Sequence, residues 1–327
     1  MKKALRWILI VLSAIIVLAA GMISYVIWAL PNIPAPDLKV EITPERVERG
    51  SYLANHLMGC MDCHARRDWT KFLGPVIPGT RGAGGEHFEK FIPVPGILVP
   101  PNITPYHLGT WTDGEIYRAI TCGVSKDGRP LFPIMPYLQF GKLSDEDIYS
   151  VIAYLRTLEP VQSDNPVTHM NFPLNIFLHL MPQKGTHELE GESNDPVLKG
   201  KYLATTAACI DCHTPQEKGK YIPEMDYAGG MEFSVPTGGI VRSGNITPDP
   251  DTGIGRWTQD QFLARFLTYR DSTFVPQPVD PGAFNTAMPW QYYASMKEED
   301  LVSIFHYLKS LKPVNHQVIK FSPPESN

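Results

Sequence analysis

Residues 49–64 read RGSYLANHLMGCMDCH, and residues 199–213 read KGKYLATTAACIDCH. Both stretches close on Cys-x-x-Cys-His: Cys60, Cys63 and His64 in the first, Cys209, Cys212 and His213 in the second. Two intervening residues let both sulfurs reach the two vinyl-derived carbons on one edge of a porphyrin. The adjacent histidine then turns its imidazole under the iron, so the string is the attachment signature of c-type haem. One such string arises by chance, but two at the ends of matched segments do not. A zinc site would need both strings to converge on one metal, or more cysteines per copy. A thiol redox pair expects a βαβ setting, which this sequence lacks.

Outward from these strings the chain repeats itself. Asn-Ile-Thr-Pro occurs at Asn102 and again at Asn245. Trp111-Thr112 and Trp257-Thr258 follow, then Met135-Pro136-Tyr137 and Met288-Pro289-Trp290. Each copy closes on a helical pattern and Pro-Val: SDEDIYSVIAYLRTLEPV and KEEDLVSIFHYLKSLKPV. Landmarks in one order at similar spacing define two copies, 45–162 and 194–317, differing most by an insertion near 271–286. They are joined by a connection at 163–193 and followed by a tail at 318–327. The connection carries a short apolar piece, Phe172 to Met181, expected to dock on a domain or touch a membrane surface.

The pattern predicts an all-α protein with two cytochrome c domains in tandem behind one N-terminal transmembrane helix. One helix leads into each haem string. A second starts at Trp-Thr, where Thr112 with Glu115 and Thr258 with Gln261 fit capping boxes. A third closes each copy, with Ile148, Ile152, Leu155 and Leu158 on one face, and Leu301, Phe305, Leu308 and Leu311 on its counterpart. The acidic run Lys297-Glu298-Glu299-Asp300 reads as a solvated helix start. The Pro- and Gly-rich stretch Gly74 to Pro101 reads as loop wrapped around a bulky buried object.

Met135 and Met288 occupy matching positions, each before proline and an aromatic residue. A thioether held on such a loop is a soft sixth ligand for haem iron, and His/Met ligation raises the potential. The competing reading is that these methionines fill core space. A bis-His alternative would draw on His56, His87 or His107 in the first copy, but the second has no matching trio. Asn102, Thr104 and Trp111, with Asn245, Thr247 and Trp257, either line the pockets and bond haem propionates or form a turn and helix cap. The fifth cysteine, Cys122, has no counterpart and reads as a thiol without a role.

Ile8 to Leu30 is uncharged over 23 positions, enough to cross a bilayer core of about 30 Å. Lys2, Lys3 and Arg6 precede it, so the positive-inside rule exports everything after Leu30. A cleaved signal peptide is the alternative, but cutting at Ala19-Ala20-Gly21 would leave an apolar stub. Pro31, Pro34 and Pro36, within 31–44, read as a stiff spacer away from the membrane. Formal net charge is −5, and the body after the basic start stands at −8. No basic stripe suits nucleic acid.

At these residues the sequence resembles the cytochrome c subunits of membrane-bound alcohol, aldehyde and gluconate dehydrogenase complexes. The resemblance covers nearly all of 45–317. It implies covalent haem at Cys60, Cys63, Cys209 and Cys212, proximal ligands His64 and His213, and axial ligands Met135 and Met288. Those subunits typically carry three haems, whereas two attachment strings occur here. The expectation is two covalently bound haem c groups that pass single electrons on the periplasmic side of an inner membrane. The donor would be a dehydrogenase or quinol-oxidising complex, the acceptor a cytochrome or oxidase. The alternative is a periplasmic oxidoreductase, peroxidase-like or thiosulfate dehydrogenase-like, with one open haem.

Overall fold

The computed structural model describes residues 2–217, 219–271 and 273–324. It opens on one long helix, α1 (Lys2–Ala29). The stretch Lys3–Ala29 is long and apolar enough to cross a membrane, with a mean hydropathy of 2.6 in its most apolar window. The first copy then runs through α2 (Pro44–His56), α3 (Cys60–Cys63), α4 (Pro105–Leu108), α5 (Asp113–Cys122), α6 (Tyr137–Phe140) and α7 (Asp145–Thr157). The connection holds α8 (Leu174–Phe177) and a 3-10 turn, Leu178–Leu180. The second copy repeats the order with α9 (Pro196–Thr206), α10 (Cys209–His213), α11 (Gln259–Leu267), α12 (Trp290–Tyr293) and α13 (Glu298–Ser310).

The all-helical expectation needs amendment, because short strands tie the loops together. β1 (Gly96–Ile97) pairs antiparallel with β2 (His169–Met170), which lies in the connection. β3 (Gln216–Glu217) pairs with β4 (Lys220–Tyr221). β5 (Glu232–Ser234), β6 (Ile240–Arg242) and β7 (Phe321–Ser322) form a three-stranded sheet, so the tail is tied back to the second copy. Strands of two or three residues leave no alternation to read in a sequence.

The helix signals act as their residues dictate. Thr112 Oγ1 accepts from Glu115 N at 3.1 Å while the Glu115 carboxylate accepts from Thr112 N at 2.8 Å. Thr258 and Gln261 repeat the box at 3.2 and 2.9 Å. Ile148, Ile152, Leu155, Leu301, Phe305 and Leu308 are buried, while Leu158 and Leu311 sit at the core's edge.

In each copy the first helix packs on the last, α2 on α7 and α9 on α13. A glycine makes each crossing possible. A Cβ on Gly50 would collide with the Ser150 carbonyl of α7, and one on Gly200 with the Ser303 carbonyl of α13. The residues that recur as Arg-Gly and Lys-Gly in the sequence are thus the points of closest helix approach.

The two copies share one continuous apolar core, in which Leu53, Ile148 and Ile152 belong to the same cluster as Tyr202, Leu301 and Leu308. Polar bonds across the join are reciprocal. Tyr52 donates to Asp300 Oδ2 at 2.6 Å, and Tyr202 donates to Asp147 Oδ2 at 2.6 Å. Each aspartate also takes a cation from its own copy: Arg49 grips Asp147 bidentately at 2.8 and 2.7 Å, and Lys199 Nζ lies 2.6 Å from Asp300. Asp300 is therefore buried, a correction to its reading as part of a solvated helix start. Glu298 and Glu299 do face solvent.

The insertion at 271–286 forms a second clasp between the copies. Phe72 N donates to Gln277 O at 2.8 Å, and Val279 N to Thr70 O at 2.8 Å. The fully buried Asn285 accepts from Leu73 N at 3.0 Å. The Pro-rich spacer runs along the first copy and is bonded to it. Arg118 Nη1 donates to Ile33 O at 3.1 Å, Asp113 caps Val40 N at 2.8 Å, and Gly114 admits the Pro36 carbonyl.

Gly50→Ala and Gly200→Ala should each destabilise the chain by about 1–3 kcal/mol, since an inserted methyl must push two packed helices apart. Denaturant unfolding measures this, and an unchanged midpoint in both variants would contradict the crossing described.

Candidate functional site

Each Cys-x-x-Cys-His string folds into a single helical turn. It is entered through one left-handed residue, Gly59 at φ 70° and Ala208 at φ 48°. The turn closes through Cys63 N to Gly59 O at 2.8 Å and His64 N to Cys60 O at 2.9 Å. A separation of three residues puts both sulfurs of a string on one face. All five cysteines are free thiols.

His64 Nδ1 donates to Pro101 O at 2.7 Å, and His213 Nδ1 donates to Gly244 O at 2.7 Å. Pro101 and Gly244 each lie just ahead of an Asn-Ile-Thr-Pro motif. The bond fixes the tautomer and ring orientation and leaves Nε2 with its lone pair, the arrangement a metal-bound histidine needs. Burial holds both imidazoles below the usual histidine range, hence neutral.

The thiols add a second observation. Cys63 and Cys212 both present accessible surface, yet desolvation by the surrounding protein pushes them up to about 12. A protonated thiol there is a poor redox nucleophile, which argues against the thiol-pair reading. The third observation is an orphan. Tyr137, two residues after Met135, is fully buried and its hydroxyl has no protein partner. Neutral directed imidazoles, paired thiols on one helical turn and an unpartnered buried donor fit a porphyrin-sized group. No three His, Cys, Asp or Glu side chains converge as a protein-only metal site among the described residues.

Met135 and Met288 sit on equivalent turns. Tyr137 N donates to Met135 O and Trp290 N to Met288 O, both at 2.8 Å, and Pro136 and Pro289 share φ near −80°. Both methionines are half-buried, and Met135 packs with Cys60 against the same core. The other histidines are differently engaged. His87 Nδ1 lies 2.6 Å from Glu89, His107 lies against Trp111, and His56 sits between Tyr52 and Tyr292. Cys122 is buried beside Thr121.

Asn102 and Asn245 turn out to be clasps. Asn102 Nδ2 donates to Val161 O at 2.6 Å and Ser163 Oγ at 2.9 Å, while its Oδ1 accepts from Thr104 N at 2.8 Å and Thr104 Oγ1 at 2.7 Å. Asn245 makes the same set with Val314, Thr252 and Thr247. Their amide protons go to the Pro-Val segments that close each copy and, for Asn245, also to Thr252, so they are not free for propionates.

The two strings also face each other's copy. Gln139 Nε2, four residues after Met135, donates to Asp211 Oδ1 of the second string at 2.8 Å. Its counterpart Tyr292, four residues after Met288, accepts from Gly59 N ahead of the first string and donates to Ala54 O at 2.9 Å. The aspartates inside the strings differ in partner. Asp62 pairs with Arg67 at 3.0 Å, whereas among the described residues Asp211 accepts from Gln139 and, at 2.6 Å, from Tyr221. Sequence reasoning missed these crossings. The signal was present, since Tyr52 and Tyr202, Asp147 and Asp300, and Gln139 and Tyr292 all sit at matched positions of the repeat. Pairing across copies, however, is invisible without coordinates.

A family model described as Cytochrome c matches residues 197–312. The cytochrome c subunit of the quinone alcohol dehydrogenase of Gluconacetobacter polyoxogenes is 31% identical over 287 residues, covering 82% of this chain and 56% of that protein. The fructose dehydrogenase cytochrome subunit of Gluconobacter japonicus is 30% identical over 309 residues, covering 90% and 59%. The diheme cytochrome c-type protein of Cereibacter sphaeroides is 28% identical over 224 residues, covering 61% and 73%. The chain thus spans little more than half the length of the alcohol and fructose dehydrogenase subunits it matches.

Asn102→Ala should cost about 1–3 kcal/mol, because it leaves buried backbone groups unpaired. The visible spectrum of the haem-loaded chain should stay unchanged. A shifted Soret band with unchanged stability would instead place Asn102 against the haem.

Proposed function

We propose that this chain, which belongs to the cytochrome c family that includes dehydrogenase cytochrome c subunits, holds two covalent haem c groups and passes single electrons between partner proteins outside a cytoplasmic membrane. The observation that carries this reading is the duplicated site. Two Cys-x-x-Cys-His turns, each with a histidine whose Nδ1 is tied to a backbone carbonyl at 2.7 Å, occur in one chain. Each copy is read as one cytochrome c domain, 45–162 and 194–317. Cys60 and Cys63 attach the first haem, and Cys209 and Cys212 the second. His64 and His213 would each ligate the iron through Nε2, and Met135 and Met288 would supply thioether ligands.

When bound, such a haem supplies the one-electron Fe(II)/Fe(III) couple. The protein's residues do the rest. The Pro101 and Gly244 carbonyls orient the imidazoles, and burial keeps them neutral. The Met-Pro-aromatic turns hold thioethers, which favour the reduced state and raise the potential. His64 with Met135 and His213 with Met288 would occupy the ligand sites of each haem, leaving none for a substrate, so the chain would act as a carrier. The shared core and the Gln139–Asp211 bond keep the two strings at one join, favouring transfer within the chain. The relatives' names support a dehydrogenase donor, with a downstream cytochrome or oxidase as acceptor. The apolar stretch Lys3–Ala29 supports a single-pass anchor with both haem domains on the periplasmic side.

Met135→Ala and Met288→Ala should each abolish the near-infrared methionine–iron charge-transfer band of one haem. An unchanged band after both substitutions overturns the ligand assignment. A high-spin ferric component in the unmodified protein, with peroxide turnover, would favour a catalyst with an open haem.

A further inference from the structure

The connection between the copies has two faces of different fate. One face docks. β2 pairs with β1, and Leu178 is buried with Leu98 and Met170, with Phe132 and Ile134 packed alongside. Phe132 and Ile134 lead directly into Met135, so this small core braces the loop that presents the first thioether. The other face is apolar and bare: Phe172 is 74% exposed, and Phe177 and Leu180 are exposed as well. Single exposed apolar residues are ordinary, but three fall within nine positions of a segment that also touches α1, and such a concentration marks a contact surface.

The position of this face says what covers it. The end of α1 packs against α8 and the following 3-10 turn, and His179 Nδ1 donates to Leu30 O at 2.7 Å. Along the last turns of α1 exposure falls on one stripe. Ile23 and Ile27 are 38% and 40% exposed and Val26 and Leu30 are half-buried, against 87% for Trp28. Ile23 to Leu30 covers about 10 Å of helix axis. A spanning helix uses about 20 apolar residues to cross the core, so these positions lie in the outer leaflet and its headgroup boundary. A surface packed against that stretch is at the same depth.

We propose that residues 171–181 form a second membrane contact. Phe172, Phe177 and Leu180 enter the outer headgroup–acyl boundary beside the anchor, and the Met135 loop of the first copy is thereby seated toward the bilayer. The proposal rests on reading α1 as a membrane anchor. It commits to lipid because the patch is continuous with a lipid-facing helix. Apolar residues on a short segment at this depth are stabilised in the manner of interfacial helices. The mount is stiff, since the spacer after Leu30 is bonded to α5 at Ile33 and Val40. The haem of the first copy is then the one nearer the membrane.

The test uses the full chain in phosphatidylcholine vesicles. It carries a nitroxide label at Phe177→Cys, or at Leu180→Cys should the first variant load haem poorly, with Val275→Cys on the exposed surface of the second copy as reference. With the haems reduced, the ratio of collisions with oxygen to collisions with a water-soluble nickel chelate should be several-fold higher at 177 or 180 than at 275. Equal ratios in a chain that floats with the vesicles overturn the second contact and leave the anchor standing. A chain that fails to float overturns both.

Discussion

Two buried aspartates, Asp147 and Asp300, hold this molecule in one piece. Each is gripped by a cation of its own copy and by a tyrosine hydroxyl of the other, at distances of 2.6 to 2.8 Å. A buried carboxylate is costly unless its lone pairs are met, so neither copy satisfies its own aspartate fully until the other is in place. That mutual dependence runs alongside an apolar core that does not stop at the join. Glycines at the α2–α7 and α9–α13 crossings let each copy close tightly enough to present its aspartate there.

The same join explains why the two Cys-x-x-Cys-His strings lie near each other. The segment after each methionine reaches over to the opposite string, Gln139 to Asp211 and Tyr292 to Gly59. In each copy the residues proposed to bind the far side of a haem are therefore mechanically linked to the attachment turn of its neighbour. The strings differ in how their aspartates are held: Asp62 pairs with Arg67, and Asp211 accepts from Gln139 and Tyr221.

Much of this was legible in the sequence where chemistry and local geometry coincide. The attachment strings, the capping boxes at Thr112 and Thr258, and the buried faces of the closing helices follow from spacing alone. What failed was whatever depends on long-range partners. Asp300 looked solvated because its helix start is acidic, and its burial is decided by Tyr52, 248 positions away. Asn102 and Asn245 looked available because an amide before a turn can bond many things, and the Pro-Val segments that consume them lie about sixty residues further along. The short strands left no periodicity to detect. The spacer's prolines gave no sign that Arg118 and Asp113 would strap it to α5.

The account stands on two haem sites being fixed at one join within a single chain. Kinetics of electron redistribution test this most directly. One haem of the fully oxidised chain is reduced by a brief light pulse, and the return to equilibrium is followed in the visible bands at several protein concentrations. The account predicts a first-order redistribution whose rate is independent of concentration. A rate that rises in proportion to concentration would mean that electrons move between molecules instead, and would contradict it.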